Sequence, residues 1–226
     1  MKIKGQIQNT TKIIAAVTFV LIVTLSIIFK VSIINVLPLL VSIFIMFLQS
    51  KVNRYAFLLG GINSIFYAVA YFYMTLYSTA LYALLVSFPI QIFTFFNWRK
   101  NTHNGKTETK NLSARGRVIM FSLMAAVWLV FFLVFSAFGS SYLIFDNTIS
   151  VIGIVSSILC AFRFSEYAIL QIVSQFINIG LYSLMLSSDR GKIIWLIFTL
   201  YGCVCSLIAF IKMNKGEKQN DRQEDL

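Results

Sequence analysis

From residue 13 to residue 213 the chain is a succession of apolar runs, each close to the ~20 residues a helix needs to cross the hydrocarbon core of a bilayer. A run of that length and composition reads as a spanning helix. Composition enters only to agree: 58% of the residues are hydrophobic, 12% are charged, and the mean hydropathy is +0.82. The expectation is an all-α membrane protein.

Eight spans are predicted, at 13–29, 31–49, 55–76, 77–98, 118–138, 143–162, 167–187 and 193–213. The first follows a polar start with Lys2, Lys4 and Lys12 and has the look of a signal peptide, but no small-residue cleavage site follows it and the next run begins just after Lys30. It is therefore read as a retained helix. Nothing charged marks the split of the long run 55–98, which is placed at Leu76-Tyr77-Ser78. Pro38 and Pro89 fall inside spans two and four, where a missing N–H permits a kink. The segments are then 1–30 (cytoplasmic start and extra N-terminal helix), 31–98 (three helices), 99–117 (basic loop), 118–138 (linking helix), 142–213 (three helices) and 214–226 (disordered cytoplasmic tail).

The formal charge is +11, yet the Lys and Arg residues lie in the gaps between runs and form no patch of the kind that binds nucleic acid. Of the 19, only Lys30, Arg190 and Lys192 fall on the side opposite the 99–117 loop. The positive-inside rule then makes the protein a multi-pass component of the cell's inner (cytoplasmic) membrane with both termini in the cytoplasm.

The stretch Ile62-Asn63-Ser64-Ile65-Phe66-Tyr67 recurs 115 positions later as Ile177-Asn178-Ile179-Gly180-Leu181-Tyr182, and the offset holds without a gap over 37–100 and 152–215. Internal duplication of this kind means two copies of one unit. With the spans above, both three-helix units enter the membrane from the same side, so they are parallel repeats, made possible by the single linking helix between them. Repeats related by an axis along the membrane normal occur in transporters with a site at the repeat interface.

In each copy an amide precedes a tyrosine by four residues, so both share one helical face. Span seven extends that face as Gln171, Gln175, Asn178 and Tyr182; the matching positions in span three are Ala56, Gly60, Asn63 and Tyr67. Span four adds Ser87, Gln91, Thr94 or Phe95, and Trp98. Amides between membrane helices serve as interhelical ties, often contributing less than about 1 kcal/mol. Seven together, Asn63, Tyr67, Gln91, Gln171, Gln175, Asn178 and Tyr182, form a substrate-binding set for a neutral polar ligand. Trp98 and Trp195, at span ends beside Arg99 and Lys192, read equally well as interfacial belt residues.

No Asp, Glu, Lys, Arg or His lies at the centre of a predicted span, which favours a facilitator over an ion-coupled pump. Asp146 reads as the N-cap of span six, and Arg163 and Glu166 as a surface pair. The single His103 and the scattered Cys160, Cys203 and Cys205 build neither a metal site nor a disulfide framework, and no phosphate-binding loop occurs. No catalytic residue and no cofactor is expected.

Residues 36–215 resemble the PnuC family of bacterial vitamin transporters. The likeness rests on Asn53-Arg54-Tyr55 leading to Gly60-Gly61-Ile62-Asn63; Pro89-Ile90-Gln91 leading to Phe96-Asn97-Trp98-Arg99-Lys100-Asn101; Asn111-Leu112-Ser113; and Phe145-Asp146-Asn147-Thr148 continuing to Arg163-Phe164-Ser165-Glu166. The resemblance implies a SWEET-like 3+1+3 bundle with helix one as an addition. It further implies facilitated diffusion of a nucleoside-like vitamin, most often nicotinamide riboside, with a cytoplasmic kinase trapping the product, and homo-oligomers among relatives. Thiamine, riboflavin and deoxynucleosides are alternative substrates. Asn63, Gln91, Gln175 and Asn178 would then bond ribose or amide groups, with Tyr67 or Tyr182 over the ring. A substrate-capture subunit of an ATP-driven vitamin importer is the alternative of another class, and a membrane enzyme ranks last. One departure falls at the start of span seven, where the family often has tryptophans and this chain has Gln171 and Gln175 instead.

Overall fold

The computed structural model describes the backbone at 2–49, 53–100, 102–103, 106–107 and 110–224, and side chains at 12–49, 53–98 and 110–211. The chain is helical almost throughout: α1 (Lys2–Ile28), α2 (Ile33–Gln49), α3 (Tyr55–Tyr73), α4 (Tyr77–Tyr82 and Phe88–Lys100, joined by a π-helical turn Ala83–Ser87), α5 (Ala114–Ala137), α6 (Leu143–Ala161), α7 (Glu166–Ser188) and α8 (Ile193–Glu224). Six of these, α3 to α8, are long and apolar enough to cross a membrane, and Lys12–Ile28 and Ile33–Gln49 are shorter apolar helices. The basic residues Lys2, Lys4, Lys51, Arg99, Lys100, Lys106 and those after Ile211, and also His103, lie outside the residues with described side chains.

Four helices end in the same way, which explains why the turns carried little signal. After α1, α3, α5 and α6 one residue turns left-handed (Lys30, φ 49°; Thr75, φ 56°; Gly139, φ 70°; Arg163, φ 67°). The next amide then reaches back five residues, as from Leu76 to the Tyr71 carbonyl at 3.0 Å and from Phe164 to the Leu159 carbonyl at 2.8 Å. This is the Schellman ending. Only one of the four uses glycine, so the break in 55–98 has no glycine or proline to announce it; it falls at 74–76, with Thr75 held to Ser141 through backbone (2.9 Å) and side chain (2.6 Å).

Three boundaries differ from expectation. The linking helix begins at Ala114 rather than 118, because Ser113 accepts the Gly116 amide and caps it. The loop expected at 99–117 is correspondingly shorter, with α4 running to Lys100 and a two-residue hairpin pairing Thr102–His103 with Lys106–Thr107. The tail expected to be disordered from 214 is helical to Glu224, since Lys215, Glu217, Lys218 and Gln219 are good helix formers and extend a helix already nucleated.

Packing closes six helices into a ring, α2 against α3, α3 against α4, α4 against α6, α6 against α7, α7 against α8, and α8 against α2. Two helices stay outside it. α1 covers the seam between α2 and α8, and α5 leans on α6, where Trp128 donates to Thr148 Oγ1 at 3.0 Å. Among described residues of α5 only Phe135 is buried; Met120, Met124 and Trp128 are half-buried toward α6, while Val118, Phe121 and Leu133 face outward. At one end of the ring the turn 74–76 meets 139–141, and Val31 touches Gly191; at the other, Lys110 pairs with the 163–165 turn.

Candidate functional site

The ring encloses a cavity of about 300 Å³, at the lower edge of the ~300–1,000 Å³ usual for small-molecule sites. Asn63, Tyr67, Gln91, Gln171, Gln175, Asn178 and Tyr182 all line it, so the two repeated stretches and the span-four glutamine meet around one space. From α4 the lining takes Thr94 and Trp98 but not Phe95, which packs instead on Tyr55 and Phe96. Every lining side chain among the described residues is uncharged.

The two copies of the repeat do different work. Asn63 is 1% exposed and donates to the Pro38 carbonyl (3.0 Å) and Ser42 Oγ (2.8 Å), while the Tyr67 hydroxyl also bonds Ser42 (2.8 Å). The first copy thus ties α3 to α2, leaving Asn63 Oδ1 buried without a partner among the described residues. In the second copy Asn178 bonds, among the described residues, only Ser174 of its own helix, at the carbonyl (2.9 Å) and Oγ (3.4 Å). The residue of α6 that matches Ser42 is Ser157, and it is taken by the Tyr82 hydroxyl (2.9 Å). Tyr82 lies across Gly153, the match of Pro38, where a Cβ would come within 2.6 Å of its ring. With its partner taken, Asn178 is left to the cavity.

One end of the cavity is closed by four rings. Trp195 lies 5.8 Å from Tyr67, 5.5 Å from Tyr71 and 5.4 Å from Tyr182 between centroids, and Tyr67 stacks on Tyr71 at 5.4 Å. Trp195 is 1% exposed and its indole N–H has no partner among the described residues. The belt reading of Trp195 is therefore overturned: Lys192 sits in the preceding 3-10 turn (Arg190–Lys192), and the first turn of α8 then points the indole inward. Trp98 is corrected likewise, being 2% exposed, edge-on to Phe57 and bonded to the Cys160 carbonyl at 2.9 Å. Tyr71 was missed altogether, although its place four residues after Tyr67 was a usable signal. Toward the other end the lining runs on past Gln171 to Gln49 and Asn53 at the ends of α2 and α3.

Two polar readings at the helix ends also change. Asp146 is not the cap of α6, whose N-cap is Tyr142; it lies in the first turn, fully buried, and caps the neighbouring helix α4 across their shared seam. It accepts from the amides of Ser78 (3.0 Å) and Thr79 (2.9 Å), from Thr79 Oγ1 (2.6 Å) and from Ser140 Oγ. These amides are the second and third of α4, the donors a cap serves. Glu166 is nearly buried rather than at the surface: it pairs with Arg117 (3.2 Å) and accepts the Leu112 amide (2.9 Å), while the left-handed Arg163 gives its carbonyl to the Lys110 amide (2.8 Å).

Comparison with known proteins shows what kind of protein is built around this cavity. Residues 32–215 match the model of the nicotinamide mononucleotide transporter family. The chain belongs to that family. A nicotinamide riboside transporter, PnuC of Neisseria mucosa, is 27% identical over 183 residues, covering 77% of this chain and 68% of that protein. The crystal structure of the vitamin B3 transporter PnuC has the same fold, with a TM-score of 0.69 at 19% identity over 90% of this chain and 92% of that one. The protein is thus a multi-pass membrane transporter of the PnuC kind and not an enzyme.

Proposed function

We propose that this transporter moves a flat, nucleoside-like vitamin, nicotinamide riboside foremost, by facilitated diffusion. The observation that carries the reading is the lining: amides and hydroxyls without a charge, ending in the box of Tyr67, Tyr71, Tyr182 and Trp195. A phosphate needs Arg, Lys or a helix N-terminus for recognition. The lining offers none of the first two, which supports the riboside over its mononucleotide. An N-glycosylated pyridinium is a permanent cation, and aromatic faces attract such cations by about 0.5–2 kcal/mol. Asn63 Oδ1, Gln171, Gln175 and Asn178 supply the polar contacts, Gln91 lines the wall with its amide given to Ser64 and Ser87, and the Trp195 N–H adds a donor.

The same lining supports one-way uptake. Once a cytoplasmic kinase adds a phosphate, the product carries a charge the cavity does not accept, and it stays inside. The architecture in this reading has eight crossings, since the 17 residues of α2 lie at the short limit of ~17–25 for a span and the turns meet at two ends as alternating crossings require. The ring order supports reading α2–α4 and α6–α8 as the parallel repeats of a 3+1+3 bundle, with α5 as the link and α1 as the addition. The distribution of Lys and Arg supports both termini in the cytoplasm, and self-association through outward helices such as α5 belongs to the same proposal.

Proteoliposomes holding the full chain, without ATP or an ion gradient, test it. Labelled nicotinamide riboside should enter saturably until both sides are equal, and Asn178→Ala should abolish the saturable part while protein content is unchanged. Tight binding with no entry would establish a capture subunit instead. Entry only under a gradient would establish a coupled carrier.

A further inference from the structure

The cavity holds two contacts of a glutamine on a glycine, with the helices exchanged between the halves. In the first, Gln91 of α4 covers Gly60 of α3, where a Cβ would lie 2.0 Å from Gln91 Oε1. Gln91 is pinned there, both N–H bonds being given to Ser64 Oγ (2.9 Å) and Ser87 Oγ (2.7 Å). In the second, Gln175 of α7 covers Gly202 of α8, where a Cβ would lie 3.0 Å from both amide atoms.

The 115-residue offset carries Gly60 onto Gln175, Ser87 onto Gly202 and Ser64 onto Ile179. The hydroxyls that pin Gln91 therefore have no counterparts around Gln175. Gln175 is 8% exposed, and its amide bonds no described residue. An amide so placed gains from any ligand group that offers a donor and an acceptor together, such as a carboxamide or a pair of ribose hydroxyls. Gln91 is wall; Gln175 is a reader.

We infer that Gly202 is a specificity-determining position, because the recess it leaves on α8 sets where the Gln175 amide rests and how it meets the substrate. This rests on reading the cavity as the substrate site. A methyl group at 202 fills the recess and turns the amide into a cavity of only about 300 Å³. The atoms it meets are ends of flexible chains, the Gln175 amide and, also at 3.0 Å, Met46 Cε. The fold absorbs the change, and the substrate feels it.

The test is saturable uptake by the full chain in proteoliposomes across nicotinamide riboside, thiamine, riboflavin and uridine, with Gly202→Ala, Gln175→Ala and the pair. Gly202→Ala is expected to raise KM for the transported compound about tenfold with the maximal rate within about twofold, and to add nothing once residue 175 is alanine, as coupled neighbours do. Gln175→Leu, which leaves α8 untouched, should raise KM by a similar factor with the thermal midpoint unchanged. An unchanged KM in Gly202→Ala or in Gln175→Leu overturns the inference. So does rescue of Gly202→Ala by Met46→Ala rather than by Gln175→Ala, since the effect would then lie in the α2–α8 contact. If the wild type takes up none of the panel, the functional reading fails and this inference with it; wild-type uptake without coupling sinks the inference alone.

Discussion

Replacing Asp146 should be the most damaging single change at the end of the ring where the 74–76 and 139–141 turns meet. The carboxylate is fully buried and receives four donors from two segments, the start of α4 and the 139–141 turn. In Asp146→Ala the two hydroxyls have other acceptors, since Thr79 Oγ1 also reaches Ser150 Oγ (3.2 Å) and Ser140 Oγ the Thr75 carbonyl (3.3 Å). The Ser78 and Thr79 amides have none. Two buried N–H groups without partners cost about 1–3 kcal/mol each, so the loss is about 4 kcal/mol. Asp146→Asn keeps one acceptor oxygen, so about half that loss follows. In a domain of 150–250 residues 1 kcal/mol moves Tm by about 2–4 °C, which gives roughly 4–8 °C for Asn and 8–16 °C for Ala. Tryptophan fluorescence of the detergent-purified protein, heated at one scan rate because unfolding of such proteins is seldom reversible, measures it. A Tm for Asp146→Ala within about 2 °C of wild type would refute the reasoning, because it would mean α4 is capped some other way.

Three further outcomes are expected. Gly60→Ala should expel Gln91 from its seat and break both its serine bonds, lowering Tm by several degrees, and Gln91→Ala in the same chain should restore most of it; an additive pair in the melting curves would contradict the contact. Trp195→Phe removes an N–H that has no partner in the described protein, so Tm of the free protein should change by under about 2 °C, while the stabilisation brought by saturating nicotinamide riboside should shrink by the equivalent of about tenfold in affinity. Glu166→Gln weakens the tie from α7 to Arg117 and the Leu112 amide; with Arg117 half exposed the ion pair itself contributes little, about 0–1 kcal/mol, so Tm should fall only a few degrees and the drop should persist at high salt.

Hydropathy made the helices legible because a backbone in lipid has few options. The repeat made the ring legible because equal segments bury equal faces. What escaped notice depended on partners far away in sequence. A Schellman ending on Thr75 or Arg163 looks like any other dipeptide, and only the docking of 139–141 onto Thr75 and of Lys110 onto the 163–165 turn holds such residues left-handed. Asp146 next to Asn147 and Thr148 has every local mark of a cap, yet the helix it caps is 67 residues away. All seven expected site residues share the cavity, but their unequal roles do not follow from residue type. Asn63 and Asn178 are the same residue in the same repeat, and one ties helices while the other does not.

That inequality traces to Tyr82. The matching residue of the second half is Ile197, and the phenol that α8 does send across the equivalent α8–α2 seam, Tyr201, bonds the Ile43 carbonyl (3.1 Å) and leaves Ser42 to Asn63 and Tyr67. Tyr82 enters where Gly153 replaces the proline of α2, and it takes Ser157, the hydroxyl that would otherwise have held Asn178 and Tyr182 as Ser42 holds Asn63 and Tyr67. Tyr182 is thereby released to the aromatic box, and Asn178 to the cavity. If this chain of displacement is right, Tyr82→Phe should do more than lose one hydrogen bond. Ser157 becomes available to the second-half pair, Asn178 gains an off-helix partner, and the protein should hold its stability within about 1 kcal/mol of wild type, a Tm shift of at most about 4 °C, while losing affinity for its substrate. A Tyr82→Phe protein with wild-type KM would show that Asn178 owes nothing to Tyr82, and the division of the two repeats into wall and reader would have to rest on Gln91 and Gln175 alone.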